Sequence, residues 1–322
     1  MLTNSPATDV MVSVNEVSRY YGEQCAVDNI SFSLARGEIL GFLGPNGAGK
    51  STTMQIICGV LAATSGSVSI AGFDVVENPA AAKQQLGFLP EHPPLYFDLK
   101  VDEYLDYCAR LRNIGRSKLA SSISYAKERC GLEDHGGRLI KNLSKGYQQR
   151  VGIAQAIVHS PALVVLDEPS SGLDPIQIIE IRKLISELGE DHSVILSTHI
   201  LPEVQSSCDR VLIINKGKLV LDEKVSALEG EEGSVVFTVA MQRPPLPEEL
   251  SILSGVQQVE LVDGQRFRLS VGANASVAEE LVKLAVEKDW GLYELVPESG
   301  TLEQTFLKLT LGEISPPSEE QE

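Results

Sequence analysis

Residues 39–43, 161–166 and 194–197 are nearly continuous apolar runs in a chain whose other hydrophobic residues are mostly spaced along amphipathic stretches. Short runs of this kind read as strands buried on both faces of a parallel sheet. Residues 53–60, and the stretch carrying Val151, Ala154, Ile157 and Val158, place apolar side chains at helical spacing, and residues 101–111 and 118–130 read as two further helices. Strands alternating with helices predict an α/β core that binds ligands at the C-terminal ends of its strands.

After residue 217 the pattern changes. Gly230-Glu231-Glu232-Gly233 has the composition of a linker, and residues 234–240, 256–262, 266–271 and 292–296 read as strands, the middle two alternating around the hairpin signal Asp263-Gly264. Residues 246–253, and Val277, Leu281, Leu284 and Ala285, read as helices. The order βαββαβ suggests a small α+β domain of ferredoxin-like arrangement over residues 231–312, after a core domain over residues 1–230. Thr301 with Gln304 has the pattern of a capping box for a last helix bearing Leu302, Phe306 and Leu309. The Pro- and Glu-rich residues 313–322 predict a disordered acidic tail.

The first apolar run leads into Gly44-Pro45-Asn46-Gly47-Ala48-Gly49-Lys50-Ser51-Thr52, which fits the phosphate-binding pattern GxxxxGK[ST] between a strand and a helix. Glycines let backbone N–H groups close around phosphate oxygens, and the helix N-terminus adds a favourable dipole. Lys50 is then expected at the β- and γ-phosphates, the Ser51 hydroxyl on Mg²⁺ and Thr52 at an inner phosphate. The second run ends in Asp167-Glu168-Pro169, which puts two carboxylates at the same sheet edge: Asp167 to hold Mg²⁺ through water, Glu168 to orient or deprotonate the attacking water. Together these motifs imply binding of a nucleoside triphosphate with Mg²⁺ and hydrolysis of its terminal phosphate.

Between them lies Leu143-Ser144-Lys145-Gly146-Tyr147-Gln148-Gln149-Arg150. Ser144 is placed to cap the following helix, and its hydroxyl with the Gly146 N–H makes an anion-ready helix start that faces away from its own phosphate loop. On these motifs the chain resembles the ATP-binding cassette (ABC) ATPases, from residue 11 to about residue 229. The resemblance implies a P-loop ABC ATPase core with a helical subdomain at about residues 93–145. It also implies an adenine-stacking role for Tyr21, an interface-crossing loop Ser171-Gly172-Leu173-Asp174, and a γ-phosphate switch role for His199. It further implies that Ser144, Lys145, Gly146 and Tyr147 close on ATP held by a second cassette, a copy of this chain or a close relative. A separate membrane permease would then turn that closure into transport, with this chain cytoplasmic and peripheral on the inner face of the plasma membrane.

Three positions depart from the family pattern. Lys145 and Tyr147 replace the first glycine and the glutamine of LSGGQ, and Glu91 stands where the family usually has glutamine, on the loop joining the nucleotide site to the membrane partner. A carboxylate at 91 is expected to meet Mg²⁺ or the attacking water, and also to bring negative charge near a γ-phosphate. The variant is similar to cassettes of simple two-component exporters of multidrug and gliding-motility type. Tyr96, Phe97 and Leu99 are expected either as an apolar contact for such a partner or as core.

Composition narrows the alternatives. A hydrophobic content of 43% supports packed cores. Of the net charge of −17, residues 221–322 hold −13, with 7 Lys and Arg against 20 Asp and Glu. That opposes nucleic-acid binding and docking of the C-terminal part on anionic lipid. Five scattered cysteines without CxxC spacing read as ordinary thiols. No run of about eighteen apolar residues occurs, and the first ten lack a secretory pattern, so the expectation is a cytosolic chain that does not itself cross a membrane. An ABC ATPase serving a soluble machine is the alternative, opposed by the single cassette and the lack of a coiled-coil insertion. A small-molecule kinase would leave the 143–150 motif and His199 without a role.

Overall fold

The apolar runs become the inner strands of a parallel sheet, and their register brings the candidate chemistry to one edge. The computed structural model describes residues 10–228, 234–272 and 277–298, with Leu302, Phe306, Leu309 and Thr310. The chain divides into a first unit, Met1–Glu223, and a second, Lys224–Glu322.

In chain order the first unit contains β1 (Val10–Tyr21), β2 (Gln24–Ala35), β3 (Ile39–Leu43), α1 (Lys50–Ile57), β4 (Ser65–Ile70), β5 (Phe73–Asp74), α2 (Pro79–Gln84) and β6 (Leu86–Leu89). There follow α3 (Val101–Leu111), α4 (Arg116–Cys130), α5 (Lys145–Ile157), β7 (Leu163–Asp167), α6 (Pro175–Leu188), β8 (Ser193–Thr198), α7 (Leu201–Ser207), β9 (Arg210–Asn215) and β10 (Lys218–Lys224). One sheet has the order β10-β9-β3-β8-β7-β6, with β9, β3, β8, β7 and β6 pairing in parallel.

Strand alternation separates two cores. Leu163 and Val165 of β7 face Leu40, Phe42, Met54 and Ile195, under α1 and the antiparallel sheet β2-β1-β4-β5. Val164 and Leu166 face the other way, toward Val194, Leu196 and the buried sides of α3 to α6. Lys100 N donates to Glu103 Oε2 at 2.9 Å at the start of α3, and Gly131, at φ +63°, ends α4. Among the described residues no helix is long and apolar enough to cross a membrane.

Just beyond α5, His159 Nε2 lies 3.1 Å from Leu86 O while its buried Nδ1 has no hydrogen-bond partner. Burial, helped by the Arg112 charge, lowers its pKa from the ordinary 6.5 to about 4. A histidine with a lowered folded value resists protonation in the native state. Its contribution is therefore intact above pH 6.5 and is lost as pH falls from 6.5 toward 4. The thermal midpoint should drop across that window, and less steeply in His159→Gln; equal slopes for both proteins would exclude this histidine as the cause.

The second unit contains α8 (Val225–Leu228), β11 (Ser234–Met241), α9 (Pro247–Leu250), β12 (Val256–Asp263), β13 (Arg266–Gly272), α10 (Val277–Glu287) and β14 (Leu292–Glu298). Its sheet, ordered β12-β13-β11-β14, is antiparallel throughout, with Val239, Phe267, Leu269, Leu281 and Trp290 in its core. This is the strand order of a split βαβ pair. Asp263 Oδ1 accepts from Gln265 N and Arg266 N, which shapes the turn of the β12–β13 hairpin. The helix expected over 246–253 is shorter, because the chain tightens after Leu250 so that Leu253 N reaches Leu250 O, and Gly255 then takes φ +98°. The proposed linker at 230–233, all but four residues of the last helix, and the tail at 313–322 lie outside the described residues.

Candidate nucleotide site

Strand register builds the site. Leu43 pairs with Thr198, Ser197 with Asp167, and Leu166 with Leu89, so four strands end together. The residues that leave those ends are Gly44, His199, Glu168 and, two positions beyond Leu89, Glu91.

The loop between β3 and α1 needs its glycines for different reasons. At Gly44 an added Cβ would lie 2.5 Å from Ile214 O, and at Gly49, which has φ +110°, 2.5 Å from Ala26 O. Lys50, buried at the first position of α1, donates to Gly44 O at 2.9 Å and Pro45 O at 3.3 Å, and its Nζ lies 3.2 Å from Glu168 Oε1. The other carboxylate oxygen of Glu168 hydrogen-bonds His199 Nδ1 at 2.7 Å. Glu168 holds this position with φ +49°, a strained value for a non-glycine residue, while its N–H donates to Ser197 O at 2.9 Å. A cation, a carboxylate and an imidazole thus meet at one point.

Around them lies a cavity of about 740 Å³, lined by Tyr21, Asn46, Gly47, Gly49, Lys50, Ser51, Thr52, Glu91, Glu168 and His199. Its size suits a nucleotide. Tyr21 is 47% exposed, and the Arg19 guanidinium lies 4.7 Å from its ring centroid. Pro45 supplies a carbonyl to Lys50, and Ala48 O accepts from Gly217 N.

Asp167 is buried and its Oδ1 has no hydrogen-bond partner. Burial holds its carboxyl above the ordinary range, with the Glu168 and Glu91 charges adding to the effect. An orphaned carboxylate oxygen beside Ser51 and Glu91 is an all-oxygen donor set that fits Mg²⁺. Among the described residues no cluster of three or more His, Cys, Asp or Glu is arranged to hold a metal, so phosphate oxygens and water would have to complete the coordination.

The 143–150 motif lies elsewhere. Ser144 caps α5, its Oγ accepting from Tyr147 N at 3.4 Å, and Asp174 caps α6, its Oδ1 accepting from Gln177 N at 2.9 Å. Ser144, Gly146, Tyr147 and Asp174 line a second cavity of about 260 Å³ that shares no lining residue with the first. The His135 ring stacks on Tyr147 at 4.2 Å between centroids, and Lys145 Nζ rests against Gly172. Tyr96 and Phe97 are about half exposed, whereas Leu99 packs against the core.

Sequence reading missed the wall of the first cavity formed by Gln24, Cys25, Ala26, Lys216 and Gly217. The β9–β10 turn, with Lys216 at φ +49° and Gly217 at φ +81°, packs against the β2 start, where Asp28 N donates to Gly217 O. A Lys-Gly pair between two strands was the available signal.

A family model described as ABC transporter matches residues 27–171. The chain is 36% identical over 308 residues to the bacitracin transport ATP-binding protein BcrA of Bacillus licheniformis, covering 94% of this chain and 98% of that relative. It is 30% identical over 306 residues to the linearmycin resistance ATP-binding protein LnrL of Bacillus subtilis (strain 168), covering 93% and 98%. Among solved structures, the dimeric bacterial ABC transporter cassette MJ0796 aligns with a TM-score of 0.61 and 25% identity over 67% of this chain and 99% of that one.

Proposed function

The chain belongs to the ABC transporter family and is an ATP-binding subunit of that family, and on that premise we propose that it hydrolyses ATP to drive a separate membrane permease, as part of an exporter. The observation that carries the chemistry is the meeting of Lys50, Glu168 and His199 at the sheet edge. A triphosphate entering the loop draws the Lys50 ammonium onto its β- and γ-oxygens and frees Glu168 Oε1 from its ion pair. Glu168 then takes a proton from the attacking water as the new P–O bond forms and the bond to the β-phosphate breaks, with ADP as leaving group. His199 fixes the carboxylate through Oε2, and as a residue lining the same cavity it would meet the γ-phosphate of a bound triphosphate. Mg²⁺, held by Ser51 and Asp167 with Glu91 nearby, would neutralise phosphate charge. Tyr21 supplies an aromatic face for the adenine.

Ser144, Gly146 and Tyr147 surround a cavity apart from this chemistry, which supports a head-to-tail pairing in which they and Asp174 meet ATP on a second cassette. BcrA and LnrL are named for bacitracin transport and linearmycin resistance, which supports the exporter reading. The location that follows is cytoplasmic, peripheral on the inner face of the plasma membrane.

Complementation tests the pairing. Lys50→Ala and Ser144→Arg should each abolish phosphate release alone, and an equimolar mixture should recover part of it, since a mixed dimer contains one site intact on both sides. A mixture as inactive as its components would reject sharing of ATP between two copies.

A further inference from the structure

We propose that Glu203 is a positioning residue for hydrolysis, its buried carboxylate tying the segment after Glu168 to the residue before His199 so that the base and the histidine keep their 2.7 Å contact. This rests on the reading of Glu168 as the base. Glu203 sits in the first turn of α7 and is 1% exposed. Its Oε1 accepts from Ser170 Oγ and its Oε2 accepts from Thr198 Oγ1 at 2.6 Å. Ser170 follows Glu168 by two residues, and Thr198 directly precedes His199. Both hydroxyl-bearing residues are themselves buried.

The direction of one bond is fixed. Thr198 Oγ1 accepts from Ile200 N at 3.0 Å, so its own proton is available to Glu203 rather than needed for that contact. A carboxylate, which only accepts, suits two hydroxyls that both donate. The tie is also placed where it matters. β7 and β8 are held in register only as far as their ends, with Asp167 opposite Ser197. Beyond that point, Glu168 is in a strained backbone conformation and His199 leaves the sheet. Glu203 closes the gap with one side-chain bond to the segment leaving β7 and one to the last residue of β8.

A structural role alone would lower stability and disturb everything at the site. A positioning role lowers turnover and spares nucleotide binding, because the Lys50 ammonium bonds Gly44 O and Pro45 O, while Glu203 bonds only the Ser170 and Thr198 hydroxyls. Glu203→Ala should reduce kcat for ATP by tenfold or more while KM and the affinity for a fluorescent ATP analogue change by no more than about twofold. Glu203→Gln should restore most of the rate. Its amide oxygen can take the Thr198 proton and its NH₂ can face Ser170, whose hydroxyl turns to accept. In a His199→Ala background, the Glu203→Ala effect should nearly vanish, since the geometry it protects is gone.

Equal loss of kcat in both backgrounds, or a loss of nucleotide affinity as large as the loss of kcat, would overturn the proposal. If Glu203→Ala does not fold, Thr198→Val and Ser170→Ala take its place, each removing one hydroxyl, and unaltered kcat in both would overturn it equally. Absence of phosphate release from the unaltered chain would sink the hydrolysis reading first, and this proposal with it.

Discussion

Glu168→Gln is expected to lower steady-state ATP hydrolysis by about 10²–10⁴-fold, the range a positioned general base contributes, while leaving nucleotide bound. That corresponds to roughly 3–5 kcal/mol of barrier. Glutamine keeps the size of Glu168 and a contact to His199, but it cannot accept a proton from water. It also carries no charge, so Lys50 is no longer shared between a carboxylate 3.2 Å away and the incoming phosphates. Affinity for ATP should therefore equal or exceed that of the unaltered chain, and the nucleotide should be retained through gel filtration. Turnover within tenfold of the parent would remove Glu168 from the role of base.

Lys50→Ala should act in the opposite order, on binding first. Its ammonium is the cation placed against Glu168 in a cavity that Glu91 also lines, with the Asp167 carboxylate behind it. Removing it deletes a charge-assisted contact worth about 1.5–3 kcal/mol, a loss of roughly tenfold to a hundredfold in ATP affinity. Repulsion between the remaining carboxylates and a triphosphate adds to that loss. The same substitution leaves Glu168 buried without its cation, and breaking such a pair costs about 3–5 kcal/mol of stability when burial is complete. A titration with a fluorescent ATP analogue and a thermal melt report the two effects separately. Unchanged affinity would show that the loop backbone alone holds the phosphates.

What was legible in the sequence was local or periodic. The phosphate loop could be read because a tight turn, a close backbone approach and a helix start each demand a residue type within nine positions, and Gly44 and Gly49 meet those demands sterically. Asp167 and Glu168 could be read because a fully buried run can end in two acids only where the chain leaves the sheet. Ser144 could be read as the cap of α5 because a serine directly before a helical run offers an acceptor to the first turn.

The parts that were not legible depend on contacts between distant segments. β1 is interrupted by register shifts and by Glu16 at φ +47°, which blurs the alternation that would mark a strand. The cavity wall at Cys25 and Lys216 is assembled from opposite ends of the first unit. Glu203 looks like a surface acid in the first turn of a helix, where acids are ordinary, and only the approach of Ser170 and Thr198 makes it a buried acceptor. The α9 helix fell short of its expected end because residues past Leu250 form turns rather than a further helical turn.

The most direct measurement is isolation of the tagged, unaltered chain from gently solubilised cells, followed by identification of what comes with it. The account predicts that the chain sediments with membranes and brings down a polytopic apolar protein in fixed proportion. A chain that stays soluble, alone or with soluble partners only, would contradict the claim that its ATP cycle drives transport.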